Sequence, residues 1–207
     1  MKTKDAIKIT HTLGKPSKMP GFTYGLPAQE CKTGSKLAKI KGSTCYGCYA
    51  LKGCYRFKAF KEAGAKRLEA IKNPLWSTAM AAQINSKKSK WFRWHDSGDV
   101  QSLKHLAKIF KVCRLTPDVQ HWMPTREAWV KPFLKKAPTN LVIRFSMPMV
   151  DQAPAKSWPN VSTVITEDKP WFGATSRQCP APKQGNKCLD CRACWDAKIW
   201  NISYIQH

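Results

Sequence analysis

The sequence predicts an α/β fold on a mainly parallel sheet, with the sheet either open and doubly wound or curved into a partial, shortened (β/α) TIM-like barrel. Three observations carry this expectation. Short aromatic and β-branched runs alternate with helix-period segments through the middle of the chain. The 207 residues, 43% of them hydrophobic and nine of them Trp, suffice for one core, so a single domain over 1–207 is expected. Cysteine-rich segments flank the alternating region on both sides, dividing the domain into a loop-rich stretch (1–54), a βα core (55–178) and a C-terminal Cys-rich cap (179–207).

Taken in order, Ile7 and Ile9 suggest a short strand, and the Gly and Pro residues from Gly14 to Pro27 impose turns, so residues 1–44 read as a long ordered loop. A helix is expected from about Tyr55 to Lys72. Asn73-Pro74 then opens another through about Asn85. Trp91 to His95 is the first strand, leading into the acidic turn Asp96-Ser-Gly-Asp99. In the next helix Leu103, Leu106, Ala107 and Phe110 fall at i, i+3, i+4 and i+7. Val119–Met123 reads as a strand, Thr125–Lys136 as a helix broken near Pro132, and Leu141–Ser146 as a strand. Pro148, Pro154 and Pro159 predict an irregular crossover, followed by strands at Val161–Thr166 and Gly173–Ser176. Ligands of such a sheet belong at the C-terminal ends of its strands.

Nine cysteines are the strongest chemical signal. Cys179, Cys188, Cys191 and Cys194 supply four thiolates, the last three as C-x2-C-x2-C and the first followed by Pro180. This spacing resembles ferredoxin-type ligation of a 4Fe-4S cluster more than the paired knuckles of structural zinc, which stays open as the alternative. Arg192 is placed to offset thiolate charge and Trp195 to exclude water from a bound cofactor. Cys31, Cys45 and Cys48 form a second ligand group in a glycine-containing loop, so one or two centres are expected. Cys54 is a weaker fourth member, and Cys113 reads as a core residue. An odd cysteine count in a chain whose first residues lack the apolar core of a signal peptide suits metal ligation in the cytoplasm.

The strand ends collect polar residues with catalytic potential: His95, Asp96, Asp99, Arg126 and Arg144, together with Thr125, Ser146, Thr166, Glu167 and Arg177. A capping role for each competes with an acid/base role. The net charge of +23, with 28 lysines among 36 basic residues, attracts polyanions and makes nucleic acid a candidate partner. No apolar run approaches the ~20 residues that span a bilayer, so no membrane partner is expected. Walker, G-x-G-x-x-G and H-E-x-x-H motifs are absent, which weighs against nucleotide hydrolysis and zinc-protease chemistry.

The order Gly42-Ser-Thr-Cys45-Tyr-Gly-Cys48-Tyr-Ala with Gly53, then Arg93-Trp-His95-Asp-Ser-Gly-Asp99, then the Cys179–Cys194 quartet with Trp195, resembles the "gene product 88" family of phage proteins over nearly the whole chain. The resemblance implies a phage origin, an iron-sulfur protein and a barrel akin to a shortened radical-SAM core, acting in the host cytoplasm. Radical-SAM enzymes ligate their cluster through C-x3-C-x2-C after the first strand. Here the spacing is Cys31-x13-Cys45-x2-Cys48 and no Gly-Gly pair occurs, which weighs against S-adenosylmethionine as cofactor. The leading expectation is therefore a cluster with a redox, electron-transfer or structural role and a redox partner. A zinc-stabilised basic nucleic-acid-binding protein and a divergent radical-SAM-like enzyme are the alternatives.

Overall fold

The computed structural model describes residues 1–166 and 175–206. Seven strands form one sheet: β1 (Phe22–Tyr24), β2 (Trp91–Trp94), β3 (Gln120–Thr125), β4 (Leu141–Val150), β5 (Val161–Ile165), β6 (Ser176–Gln178) and β7 (Asn201–Ile205). Their order is β1-β2-β3-β4-β5-β7-β6, and every neighbouring pair is parallel. β1 and β6 are the two edges, so the sheet is open.

Side chains alternate between two faces, as the pleat requires. Phe92, Trp94, Met123, Leu141 and Ile143 pack with Trp76, Met80 and Ile84 of α4 (Trp76–Ser86) and with Leu106, Ile109 and Phe110 of α5 (Leu103–Leu115). Two further helices, α1 (Thr3–Thr10) and α3 (Lys58–Ala70), adjoin this layer. The opposite face carries Trp91 and Trp122, which meet Trp195 from the Cys-rich segment. That segment lies over the sheet because β7 is parallel to β6. The chain must return to the starting end of the sheet between the two strands, as any parallel connection must.

Several expectations are corrected. Ile7 and Ile9 lie in α1, not in a strand. Ala6 and Thr10, four residues apart, are buried against α4, where Gln83 Nε2 donates to Thr10 Oγ1 at 2.7 Å and to the His11 carbonyl at 2.9 Å. Residues 1–44 also contain β1 and the short α2 (Lys32–Leu37). A three-residue strand has too few positions to show a period and is held by pairing with β2. In α5, Leu103 is half exposed and Ala107 exposed, whereas His105, Leu106, Ile109, Phe110, Val112 and Cys113 form the buried face. The expected helix after Thr125 is a 3-10 segment, Ala128–Lys136, with Pro132 inside it. β4 runs past Pro148 to Val150 because the 42–44 loop pairs with it: Thr44 N–H donates to the Pro148 carbonyl (2.8 Å) and Val150 N–H to the Gly42 carbonyl (2.9 Å). The strand expected at Gly173–Ser176 begins at Ser176, and residues 173 and 174, like Glu167, lie outside the described residues. The cap expected over 179–207 also contains a strand, β7. Among the described residues no helix is long and apolar enough to cross a membrane.

Candidate functional site

The first cysteine group sits at the C-terminal ends of β2, β3 and β4. Cys31 enters α2, and Cys45 and Cys48 occupy the turns beyond the 42–44 loop that is pinned to β4. Gly34 lies between the thiols: a Cβ there would stand 3.0 Å from Cys31 Cβ, a tight approach, and in ordinary contact at 3.6 Å with Cys31 Sγ and Cys45 Sγ. Burial, then Asp99, Cys45, Cys48 and Glu127, push the Cys31 thiol up to about 12. Cys45 is raised by burial, against the opposing charge and hydrogen bond of Arg126.

Two buried carboxylates brace this group. Asp99 accepts from the Thr125 hydroxyl and Val100 N–H at 2.7 Å and from Arg126 N–H at 2.8 Å. Its pKa is nonetheless raised to about 6, because burial outweighs those bonds. Glu127 accepts from Thr33 N–H at 2.9 Å and Trp129 Nε1 at 3.0 Å. The Arg126 guanidinium donates to the Ser146 and Met147 carbonyls at 3.1 and 2.7 Å, tying β3 to β4 beside Cys45.

The second group lies on the sheet face opposite the helices. Cys179, Cys188, Cys191 and Cys194 line one small cavity with Ala181, Ala193, Trp195 and Ile202, and about 20 Å³ of it admits the centre of a water molecule. Burial first, and then Cys179, raise the Cys188 thiol. Cys194 is pushed up to about 11 by burial, opposed by its contact with the Tyr204 hydroxyl (3.3 Å) and by the charges of Arg144 and Arg93. Trp195 closes the cavity with its indole N–H anchored to the Phe92 carbonyl at 2.9 Å. The Arg192 guanidinium lies 5.5 Å over the Trp91 ring and donates to the Cys191 carbonyl at 2.9 Å.

Arg144 is fully buried, and among the described residues it forms no ion pair, the Asp196 carboxylate acting on it only at longer range. Nε donates to the Cys194 carbonyl (3.0 Å), Nη1 to Ile199 (2.9 Å), and Nη2 to Ala193 (3.0 Å) and Asp196 (2.7 Å). It clasps the Cys-rich crossover to β4, and its donors are taken up by backbone.

The family profile described as Gene product 88 matches residues 1–197, a span that includes both cysteine groups. The chain belongs to the gene product 88 family of phage proteins. No curated protein and no solved structure matches it significantly.

In this gene product 88 chain the His95–Asp99 turn is divided among three environments. His95, at φ 56°, is buried against His105 (ring centroids 5.5 Å apart), and neither of its ring nitrogens has a hydrogen-bond partner among the described residues. Burial holds its pKa well below the usual histidine range. Asp96 faces Arg93 and offers its carbonyl to the Tyr49 hydroxyl, while Asp99 joins the first cysteine group. The turn is seated by Gly98 (φ 76°), where a Cβ would stand 2.6 Å from that of Leu26. Among the described residues no hydrogen bond joins His95 to Asp96 or Asp99. Arg177 is exposed on edge strand β6, and Cys54 is exposed, outside both groups.

Sequence reasoning missed two members of this site, Glu127 and Tyr204. Glu127 gave no signal beyond lying near a strand end. Tyr204 belongs to β7, whose alternation of Ile202 and Tyr204 with polar residues was the available clue. Arg93 is central: it stacks 4.6 Å over Trp122 and lies within electrostatic reach of Tyr49 and Asp96 on one side and of Tyr204 and Cys194 on the other.

Among the described residues no group of three or more His, Cys, Asp or Glu side chains is drawn together tightly enough to hold a metal ion. The donor set of the quartet is nevertheless sulfur alone, with no other ionisable side chain lining its cavity. That composition fits a thiophilic centre, which would hold its ligands as thiolates against the upward shifts that burial imposes.

Proposed function

We propose that the protein is an iron-sulfur protein in which Cys179, Cys188, Cys191 and Cys194 hold a 4Fe-4S cluster in a redox or structural role. The supporting observation is the convergence of these four cysteines on one cavity with apolar walls. A single zinc ion binds every sulfur at about 2.3 Å and so gathers its ligands to a point. The C-x2-C-x2-C run with the remote Cys179-Pro180 instead follows the ligand pattern of a polynuclear centre, whose metal atoms each take their own thiolate.

When bound, a cluster of this kind supplies one-electron redox chemistry at a potential set by its surroundings. The chain's own contribution is electrostatic and steric. Arg144 and Arg93 place positive charge near Cys194, the Tyr204 hydroxyl reaches its sulfur, and Trp195 keeps water away. The crossover over 179–200 has only two short 3-10 segments, Ala181–Gln184 and Ala193–Trp195, so a four-thiolate centre would also provide cohesion that secondary structure does not.

Cys31, Cys45 and Cys48 are read as ligands of a second centre, with Asp99, Glu127 and Arg126 beside the position that no cysteine fills. In this reading the open sheet is a shortened relative of the (β/α) barrel, and the protein works in the host cytoplasm.

Anaerobic purification tests the proposal. The expected product is brown, with broad absorption near ~400 nm and roughly four iron and four sulfide per occupied centre. Cys191→Ser removes one set and Cys45→Ser the other. Colourless protein carrying zinc would overturn it.

A further inference from the structure

Residues 36–61 contain seven Lys and Arg residues and no Asp or Glu. All seven are exposed. Between them lie aromatic rings turned to solvent: Tyr46 is 57% exposed, Tyr49 59%, Phe57 65% and Phe60 51%. A lysine-rich surface that served solubility alone would have no use for such rings, since burial in the core is their ordinary fate. An apolar patch for another protein would not be interleaved with seven charges of one sign.

The rings are also organised. Tyr49 meets Tyr55 edge-on at 5.8 Å, and Tyr55 meets Phe60 at 5.7 Å, giving a continuous aromatic row. The Tyr49 hydroxyl is anchored inward on the Asp96 carbonyl, which fixes the ring while leaving it exposed. The row opens into a groove of about 1140 Å³ between α3 and residues 14–18, with Lys15, Lys18 and Lys61 on its walls. Glu30, Glu69 and Asp96 also line the groove, and Lys72 pairs with Glu69 at 2.6 Å.

We propose that this surface binds single-stranded nucleic acid, with Tyr49, Tyr55, Phe57 and Phe60 stacking on unpaired bases and the flanking Lys and Arg side chains neutralising phosphates. Stacking needs bases that are not already stacked in a duplex, which selects the single strand. The high net charge of +23 steers any polyanion toward the protein, and the aromatic row provides the discrimination. None of the stacking rings is a proposed metal ligand, although Cys45 and Cys48 lie in the same segment.

The test is fluorescence anisotropy of the full-length protein with a fluorescein-labelled oligothymidylate of about 15 nucleotides, and with a duplex of equal length, across a salt series. The single strand is expected to bind more tightly. Phe57→Ala with Phe60→Ala should weaken it by about ten-fold or more with an unchanged salt slope. Phe57→Trp should retain affinity and Phe57→Leu should lose it, because only the former keeps a π face. Lys52→Ala with Lys58→Ala should flatten the slope by roughly 0.7 for each phosphate that is no longer neutralised. Both phenylalanines are exposed, and an unchanged circular dichroism spectrum excludes misfolding as the cause. Equal affinity for duplex and single strand with no loss in the ring variants would overturn the proposal. Tighter binding of polyglutamate than of the oligonucleotide would overturn it in favour of an acidic protein partner.

Discussion

The two cysteine groups use the same ligand chemistry in opposite settings. The group of Cys31, Cys45 and Cys48 lies at the C-terminal ends of the strands among ionisable neighbours, Asp99, Glu127 and Arg126, on a loop already pinned to β4 by backbone bonds. The quartet lies on the sheet face under an indole and a buried guanidinium, in a segment with little secondary structure of its own. A group held by the fold and surrounded by charge is equipped for chemistry. A group that must itself hold a crossover together is equipped for structure or electron transfer.

The largest expected difference is in removal of the thiolates. Cys191→Ser should open residues 182–192 to proteolysis at least ten-fold faster, because the Arg144 and Trp195 anchors hold residues 193–199 and not that stretch, whereas Cys45→Ser should leave the digestion pattern intact. Equal sensitivity of the two variants would erase the distinction.

The arginines sharpen it further. Arg144→Met should cost about 3–5 kcal/mol in urea unfolding, since it removes the buried partner of several carbonyls. Arg126→Met, which releases two carbonyls at a partly exposed site, should cost about 1 kcal/mol. A small effect at Arg144 would show that the crossover is held by something else.

Acid separates the first cysteine group from the helix-side core. Asp99, raised to about 6 from 3.8, holds its proton more tightly in the folded state and so adds stability as pH falls through 6. His105 and His121, lowered to about 3 from 6.5 by burial, stay neutral while the unfolded chain takes up protons, so they remove stability as pH falls below 6.5. With His95, which burial also keeps neutral, these histidines outweigh one carboxylate, and a shift from pH 7 to 4.5 should cost at least roughly 3 kcal/mol by denaturant titration. Unchanged or rising stability would mean that the histidines titrate normally.

The smallest expected effect on stability is at Gly34. Gly34→Ala should change it by less than about 1 kcal/mol and yet lower iron at the first group alone, because the added Cβ would press on the Cβ of Cys31 and shift its thiol. Loss of iron from the quartet as well would show that the groups are coupled.

Much of the fold was legible in the chain because helices and strands are written in local periodicity. The alternation from Trp91 to Val161, the strand-end placement of Asp99 and Arg126, the membership of the two cysteine groups and the core position of Cys113 all follow from short-range pattern. The chain alone did not reveal α1, where two isoleucines imitate a strand, nor β1, which is too short to show a period.

What only the tertiary structure decided is non-local. The insertion of β7 between β5 and β6 depends on pairing with strands distant in sequence, and it is this reversal that carries the quartet off the strand ends and across the sheet face. The positive φ at His95 breaks the alternation of β2 and turns that ring into the helix-side core, where a sequence pattern would have placed a catalytic base. Arg144 could be read from the chain as a strand residue, but its role as a clasp exists only once the carbonyls of residues 193–199 arrive beside it. The sequence by itself determined which residues carry thiols and where most of the central strands and helices lie. The long-range pairing of the sheet decided which of those residues meet, because a contact between distant segments leaves no period in either one.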